Sequence, residues 1–319
     1  MNNTFFISVD WGTSNFRLRL VEKSTLQVIE EIITADGAQS IFSIWQEKGG
    51  DREFIFLDFL KKKINQLKTQ LSKEIEIVIS GMASSSIGIR ELPYAHLPFQ
   101  INGKGLHVAT IRHPLFPNGI KVISGVCGDS DIMRGEEVQL VGLANETGRH
   151  GKLIYTFPGT HCKHILCENG TITGFNTFMT GEVFNMLCKH TILKDSIDTS
   201  AASVMDLNSF DQGVLRSQTT SSLLEELFKI RAWDILGHKS AKENYFYLSG
   251  LLIGEEISTL KSKSFDQIFL CAGSNLYEFY KRAIQLSGLA DKTTYLLKEI
   301  VETAVIRGQI KTIEQMDEY

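Results

Sequence analysis

The stretch "FFISVDWGTSNFRLRLV" (Phe5–Val21) sets an apolar run of strand length against an abrupt change of chemistry. Phe5 to Val9 is short, apolar and rich in strand formers, a β-strand pattern. Asp10 follows it, Gly12-Thr13-Ser14 turn the chain, and a second alternating strand carries Arg17 and Arg19. A turn built of Gly, Thr and Ser exposes backbone N–H groups and hydroxyls, a concavity suited to phosphate oxygens. An acid beside it is a hard oxygen ligand of the kind Mg²⁺ takes, usually through waters because the ion dehydrates reluctantly. Taken alone, Asp10 reads equally as a solvated carboxylate capping its own turn, and Arg17 as a surface charge.

Outward from this hairpin, "LQVIEEI" reads as a third strand. A helical region follows and ends in "FIFLDFLKKKINQLKTQLSK", whose apolar residues recur at helical spacing. "IEIVIS", closed by Gly81, is a buried strand. From Gly81 to Gly119 no period holds and Pro93, Pro98, Pro114 and Pro117 cluster, as in a substrate loop or an elaborated connection between domains. "KVISGV" is then a strand and "SDIMRGEEVQLVGLANE" a helix with a polar start. The opening pattern now returns: strand "KLIYTF", turn "PGTH", strand "CKHILC", hairpin turn at Asn169-Gly170, strand "TITGF". Helices are expected at 181–190, 221–236 and 245–260. Strand "QIFLCAG", helix "NLYEFYKRAIQL", "TTYLL" and a last helix follow. Gly12-Thr13 and Gly159-Thr160 hold the same place in each half, and each is followed by a basic residue, Arg17 and Lys163. An internal duplication is the expectation.

The 319 residues exceed what one core usually supports, so two domains are expected. A net charge of −4 leaves no basic footprint for nucleic acid. No apolar run is long enough to span a bilayer, the N-terminus lacks a signal-peptide pattern, and five cysteines form no framework. A cytoplasmic protein with reduced thiols is the expectation, with no nucleic-acid or membrane partner. Homo-oligomerisation stays open.

Two clusters bear on chemistry. "THCKHILC" holds ligands zinc favours, but a strand sends Cys162 and His164 to one face and His161 and Cys167 to the other, so four ligands do not converge. His161 sits in the turn itself and can face a phosphate or a substrate carboxylate. In "GDSDIMRGEEVQL", Asp129, Asp131, Glu136 and Glu137 surround Arg134. Phosphoryl transfer to a hydroxyl calls for a carboxylate to take the proton, though an acid at a helix start is also a common cap. Adjacent Glu136 and Glu137 point about 100° apart on a helix, so at most one faces a site. No P-loop, dinucleotide fingerprint, nucleophile elbow or H-E-x-x-H is present.

Taken together, "DWGTSNFR" (Asp10–Arg17), "GMASSSIGIRELPY" (Gly81–Tyr94), "DIMRGEEVQL" (Asp131–Leu140), "FPGTHCKHI" (Phe157–Ile165), "GFNTFMTGEVF" (Gly174–Phe184) and "YLSGLLIGEEI" (Tyr247–Ile257) resemble the 2-dehydro-3-deoxygalactonokinases. These belong to the actin-like sugar kinase and ATPase superfamily. The resemblance implies an α/β fold of two ribonuclease-H-like domains, divided here as 1–119 and 120–319, holding ATP and Mg²⁺ in an interdomain cleft. The last helix is expected to pack back on the first domain. Asp10, Gly12, Thr13, Ser14 and Arg17 would form the first phosphate loop, with Asp10 near the metal. Gly159 and Thr160 would form the second loop, and Gly273 and Ser274 of "CAGSNL" the adenosine loop. Glu136 is the implied catalytic base, with Asp131 the alternative. Ser84, Ser85, Arg90, Arg134, His161 and Lys163 are the substrate candidates.

The chain departs from the family pattern at Ser86-Ile87 and Ile89, where Arg-Gln and Trp are common, and at Cys162, where Ser is common. Pro158 stands beside Gly159 with no acid to match Asp10. The activity implied is ATP-dependent phosphorylation of 2-dehydro-3-deoxy-D-galactonate on its 6-hydroxyl. The alternatives are a kinase of another sugar or sugar acid, and a regulatory ATPase with no small-molecule acceptor.

Overall fold

The computed structural model describes residues 4–69, 71, 75–200 and 206–315. The chain forms two compact units: Met1–Arg149 with Asn169–Gly174 and Glu299–Tyr319, and His150–Glu168 with Phe175–Lys298. The division expected at 119/120 falls inside the first unit, which also takes the C-terminal helix.

In the first unit, β1 (Phe5–Trp11), β2 (Phe16–Glu22) and β3 (Val28–Thr34) precede α1 (Ala38–Lys48) and α2 (Arg52–Ile64). Then come β4 (Glu76–Gly81), a 3₁₀ turn (Met82–Ser84), β5 (Ala95–His96), β6 (Phe99–Gln100), β7 (Val108–His113), β8 (Phe116–Ile123), β9 (Val126–Cys127), β10 (Ile132–Met133) and α3 (Glu136–Leu143). The main sheet runs β3-β2-β1-β4-β8-β7. β1 pairs antiparallel with β2 and parallel with β4. Ile7, Val9 and Trp11 point to the side covered by Phe56, Leu57 and Leu60 of α2. Phe6 points to the other side, which Val138 of α3 and Ile306 and Ile313 near the C-terminus cover. A strand buried on both faces has to be apolar throughout, which explains the "FFISV" run.

The second unit contains β11 (Lys152–Phe157), β12 (Cys162–Glu168) and the second half of β13 (Thr171–Phe178). It continues through α4 (Thr180–His190), α5 (Leu207–Ser217), α6 (Leu223–Ile235), α7 (Ala241–Ser258), β14 (Gln267–Leu270), α8 (Ser274–Leu286) and β15 (Thr293–Tyr295). The chain closes with α9 (Lys298–Glu314), which lies in the first unit from Glu299 on. The second sheet runs β15-β14-β11-β12-β13-β6, with Thr171 and Ile172 at the start of β13 pairing with β6. Read from the third strand of each half, the two orders match over four strands, third, second, first, fourth, and a further parallel strand follows the fourth in each, β8 in one and β15 in the other. The duplication expected from the two hairpins is present in the topology.

Several elements differ from expectation. The helix read to Lys73 ends at Ile64, and Gln70 and residues 72–74 lie outside the described residues. Residues 108–123, expected to be largely irregular, make the β7–β8 hairpin, in which "PLFPNG" supplies the turn and the first residues of β8. The helix expected from Ser130 starts only at Glu136, because Ile132-Met133 first pairs with β9. α5 was not expected at all. Its cap is Asp206, whose side chain accepts the Ser209 N–H. No helix among the described residues is long and apolar enough to cross a membrane.

Candidate functional site

Three glycines expected at nucleotide loops share one property. Gly12, Gly159 and Gly273 all have ordinary φ. A Cβ added to Gly12 meets nothing closer than 3.4 Å, one on Gly159 nothing closer than 4.0 Å, and one on Gly273 nothing within 4 Å. The fold therefore gives no reason for glycine at these positions. Open space before a bare backbone is what a closely approaching ligand requires. Thr13, Ser14 and Thr160 are exposed on the same loops. Gly273 caps α8. The Ser274 side chain lies outside the described set.

Each hairpin is backed by a second glycine. A Cβ on Gly37, the cap of α1, would overlap the Thr13 carbonyl, and one on Gly181, in the first turn of α4, would overlap that of Gly159. The loop carbonyls are then bonded by the helix starts: Ala38 N–H to Gly12 O (2.9 Å), Gln39 N–H to Thr13 O (3.1 Å), and Glu182 N–H to Thr160 O (3.0 Å). Sequence reading did not single out these backing glycines. The signal was a Gly at a helix start some twenty residues after each Gly-Thr turn.

In the first unit the backbone brings the segments that carry Asp10 and Glu136 to one end of the sheet. Asp10 lies in register with Arg17 on one side and Ser80 on the other, and Trp11 with Gly81. Burial pushes the Asp10 pKa up, and Arg17 and Arg19 pull against that rise. Gly81 has φ +87°, and a Cβ there would stand 2.6 Å from the Trp11 carbonyl oxygen. Gly135 has φ +113°, and its Cβ position is 3.6 Å from Gly81 Cα. The ends of β1 and β4 and the start of α3 thus touch backbone to backbone, through two glycines in a region side chains avoid.

Glu136, the first residue of α3, is half-buried, and its Oε2 accepts the Arg134 N–H (3.2 Å). Glu137 is fully buried, with both carboxyl oxygens on the Gly135 N–H (2.9 and 2.8 Å). Burial and the Glu136 charge push its pKa up to about 8. Only one of the two acids is thus open to solvent, as the 100° offset requires. Arg134 Nη1 donates to Ser84 O (2.7 Å) and Oγ (2.6 Å), and its guanidinium lies 4.2 Å from the Tyr94 ring centre.

Other candidates are held differently. Asp131 is half-buried, and its Oδ1 accepts the Ile132 N–H. Ser85 is buried and donates to Met82 O. Arg90 forms a two-pronged ion pair with Glu53 (2.7 and 2.9 Å) on the surface, away from the Ser84–Arg134 group in its bonding. Arg17 stands 3.7 Å from Glu31. In the second unit His161 is exposed and paired with Glu182, while Lys163 is buried opposite Phe157. Cys162 and His164 do share a face, since both reach Tyr280 or Glu256.

The donor set at Asp10 suits Mg²⁺. One half-buried carboxylate beside an open loop offers a hard oxygen and leaves the remaining positions for waters and phosphate oxygens.

Two ribonuclease-H-like units, each with a Gly-Thr hairpin on the same strand of its sheet, define the actin-like class of sugar kinases and ATPases. The family model "2-keto-3-deoxy-galactonokinase" matches residues 10–310, and the chain belongs to that kinase family. It is 28% identical over 293 residues to the 2-dehydro-3-deoxygalactonokinase of Escherichia coli (strain K12), covering 89% of this chain and 90% of that one. It is 30% identical, with the same coverage, to "Probable 2-dehydro-3-deoxygalactonokinase DgoK1" of Rhizobium meliloti (strain 1021). A solved structure of a family member from Sinorhizobium meliloti superposes with TM-score 0.79 at 29% identity, over 98% of this chain and 99% of that one.

Proposed function

We propose that the protein transfers the γ-phosphoryl group of ATP to the 6-hydroxyl of 2-dehydro-3-deoxy-D-galactonate. The observation that carries this reading is the assembly of Asp10, Glu136 and the Arg134–Ser84 pair around Gly81 and Gly135, at the sheet end that bears an open Gly-Thr loop. Phosphoryl transfer is mostly positioning and charge stabilisation, so its parts are a phosphate grip, a metal ligand and a proton acceptor. The Gly12–Ser14 and Gly159–Thr160 loops supply backbone donors to phosphate oxygens. Asp10 holds Mg²⁺, which when bound neutralises phosphate charge. Gly273 lets the adenosine approach the start of α8.

Glu136 takes the proton of the attacking hydroxyl. Its half-open position at the start of α3 leaves it able to meet substrate, whereas Glu137 is sealed. Arg134, already oriented by Ser84 and Tyr94, offers charge to the sugar-acid carboxylate. Removing a general base costs about 10² to 10⁴ in rate. Glu136→Gln should therefore lower kcat at least about 10²-fold while the affinity for ADP, measured by calorimetry, stays within about twofold. A kcat near wild type would move the base to Asp131.

A further inference from the structure

Behind the second hairpin lies a buried polar cluster with no part in the chemistry above. Glu256 of α7 is 2% exposed and His164 of β12 is fully buried. The Glu256 carboxyl receives three side chains from three different elements. His164 Nε2 lies 3.0 Å from Oε1, and the hydroxyls of Thr180 (2.5 Å) and Tyr280 (2.7 Å) donate to Oε2. Tyr280 in turn lies 3.0 Å from Cys162 Sγ. That sulfur, whose S–H then faces the Tyr280 oxygen, accepts the Gly159 N–H at 3.4 Å. Thr180 opens α4 and is followed by Gly181, whose backbone abuts Gly159.

One carboxyl therefore reaches the Gly159 loop by two routes, through Tyr280–Cys162 and through Thr180–Gly181. Tyr280 also belongs to α8, the helix that begins at Gly273. A buried carboxyl is costly unless its lone pairs are satisfied, and this one is met from three elements. An apolar residue would fill the same volume without tying these elements together.

We infer that Glu256 is a positioning residue for nucleotide: it holds the second phosphate loop and the start of the adenosine-loop helix in one geometry. The inference rests on the reading of Gly159–Thr160 and Gly273 as nucleotide loops. It predicts an effect confined to ATP, because the cluster touches no residue assigned to the sugar acid except by way of the hairpin. Glu256→Gln keeps the volume and one acceptor but turns an acceptor oxygen into a donor that faces hydroxyls. Tyr280→Phe removes the hydroxyl that joins Glu256 to Cys162 but leaves His164 and Thr180 on the carboxyl, and is the gentler variant should Glu256→Gln fold poorly.

The test is steady-state kinetics of both variants, with calorimetric titration by ADP and circular dichroism to confirm folding. KM for ATP should rise about tenfold or more in Glu256→Gln, and less in Tyr280→Phe, while KM for the sugar acid stays within about twofold. Folded variants with unchanged KM for ATP, or with both KM values raised alike, would overturn the inference. Wild-type protein that binds no ADP would instead remove the nucleotide reading on which it rests.

Discussion

At the scale of single residues, the two adjacent glutamates at the start of α3 differ in everything but chemistry. Glu136 is half-open and Glu137 is sealed, with its carboxyl on the Gly135 amide. The offset was legible, because consecutive helix residues diverge by about 100°. Which of the two would be buried was not, since that depends on β1 and β4 closing over Gly135. Glu137 carries a measurable signature. Its pKa near 8 stands above the ordinary 4.5, so between those values the native state holds a proton the unfolded chain has released. Stability from this group is full below the lower value and falls as pH rises toward the upper one. Glu137→Gln cannot ionise and lacks this loss. Its Tm relative to wild type should therefore rise steadily from about pH 5 to about pH 8 in thermal melts. A difference that stays constant with pH would mean that Glu137 titrates as an ordinary carboxyl.

At the scale of elements, glycines decide how closely helices pack. α5 and α7 cross where Gly213 faces the Tyr247 carbonyl and Gly250 that of Phe210. Gly254, one turn on, faces the Val214 backbone. This seam seats α7, and with it Glu256, under the second sheet. "YLSGLLIGEEI" was visible as a family block, but its small-residue spacing gave no hint of the partner, because α5 carries an unremarkable stretch of sequence. In open helix, Gly→Ala gains about 1 kcal/mol. Here the added methyl meets backbone that has nowhere to move, and overpacking costs about 1–3 kcal/mol or more. Gly250→Ala should thus lower Tm by several degrees in differential scanning calorimetry. A raised Tm would show that the seam yields. The hairpins show the same logic: Gly12 and Gly159 are bare toward open space, while Gly37 and Gly181 are bare toward the loops themselves.

At the scale of the whole chain, the doubling of the fold was legible from one repeated signal, a strand, a Gly-Thr turn and a basic strand. The limits of the units were not. α3 is tied to α9 where a Cβ on Gly142 would overlap the Ala304 carbonyl, and one on Gly308 that of Val138. That long-range contact assigns the proposed base and the C-terminal helix to the first unit, and nothing local near residue 120 announces it. Gln309 of α9 reaches further, donating to Val9 O and Ser80 Oγ (both 2.9 Å) beside Asp10. The first loop, its acid and the proposed base are thus built on one rigid sheet end.

The central claim is that phosphate leaves ATP for a sugar-acid hydroxyl and not for water. Its most direct test follows purified protein with ATP, Mg²⁺ and a panel of 2-keto-3-deoxy acids and hexoses by ADP release and ³¹P NMR. The account predicts ADP release that depends on 2-dehydro-3-deoxy-D-galactonate, with one phosphomonoester on carbon 6 formed per ADP. Acceptor-independent hydrolysis to inorganic phosphate, or preference for a neutral hexose, would contradict it.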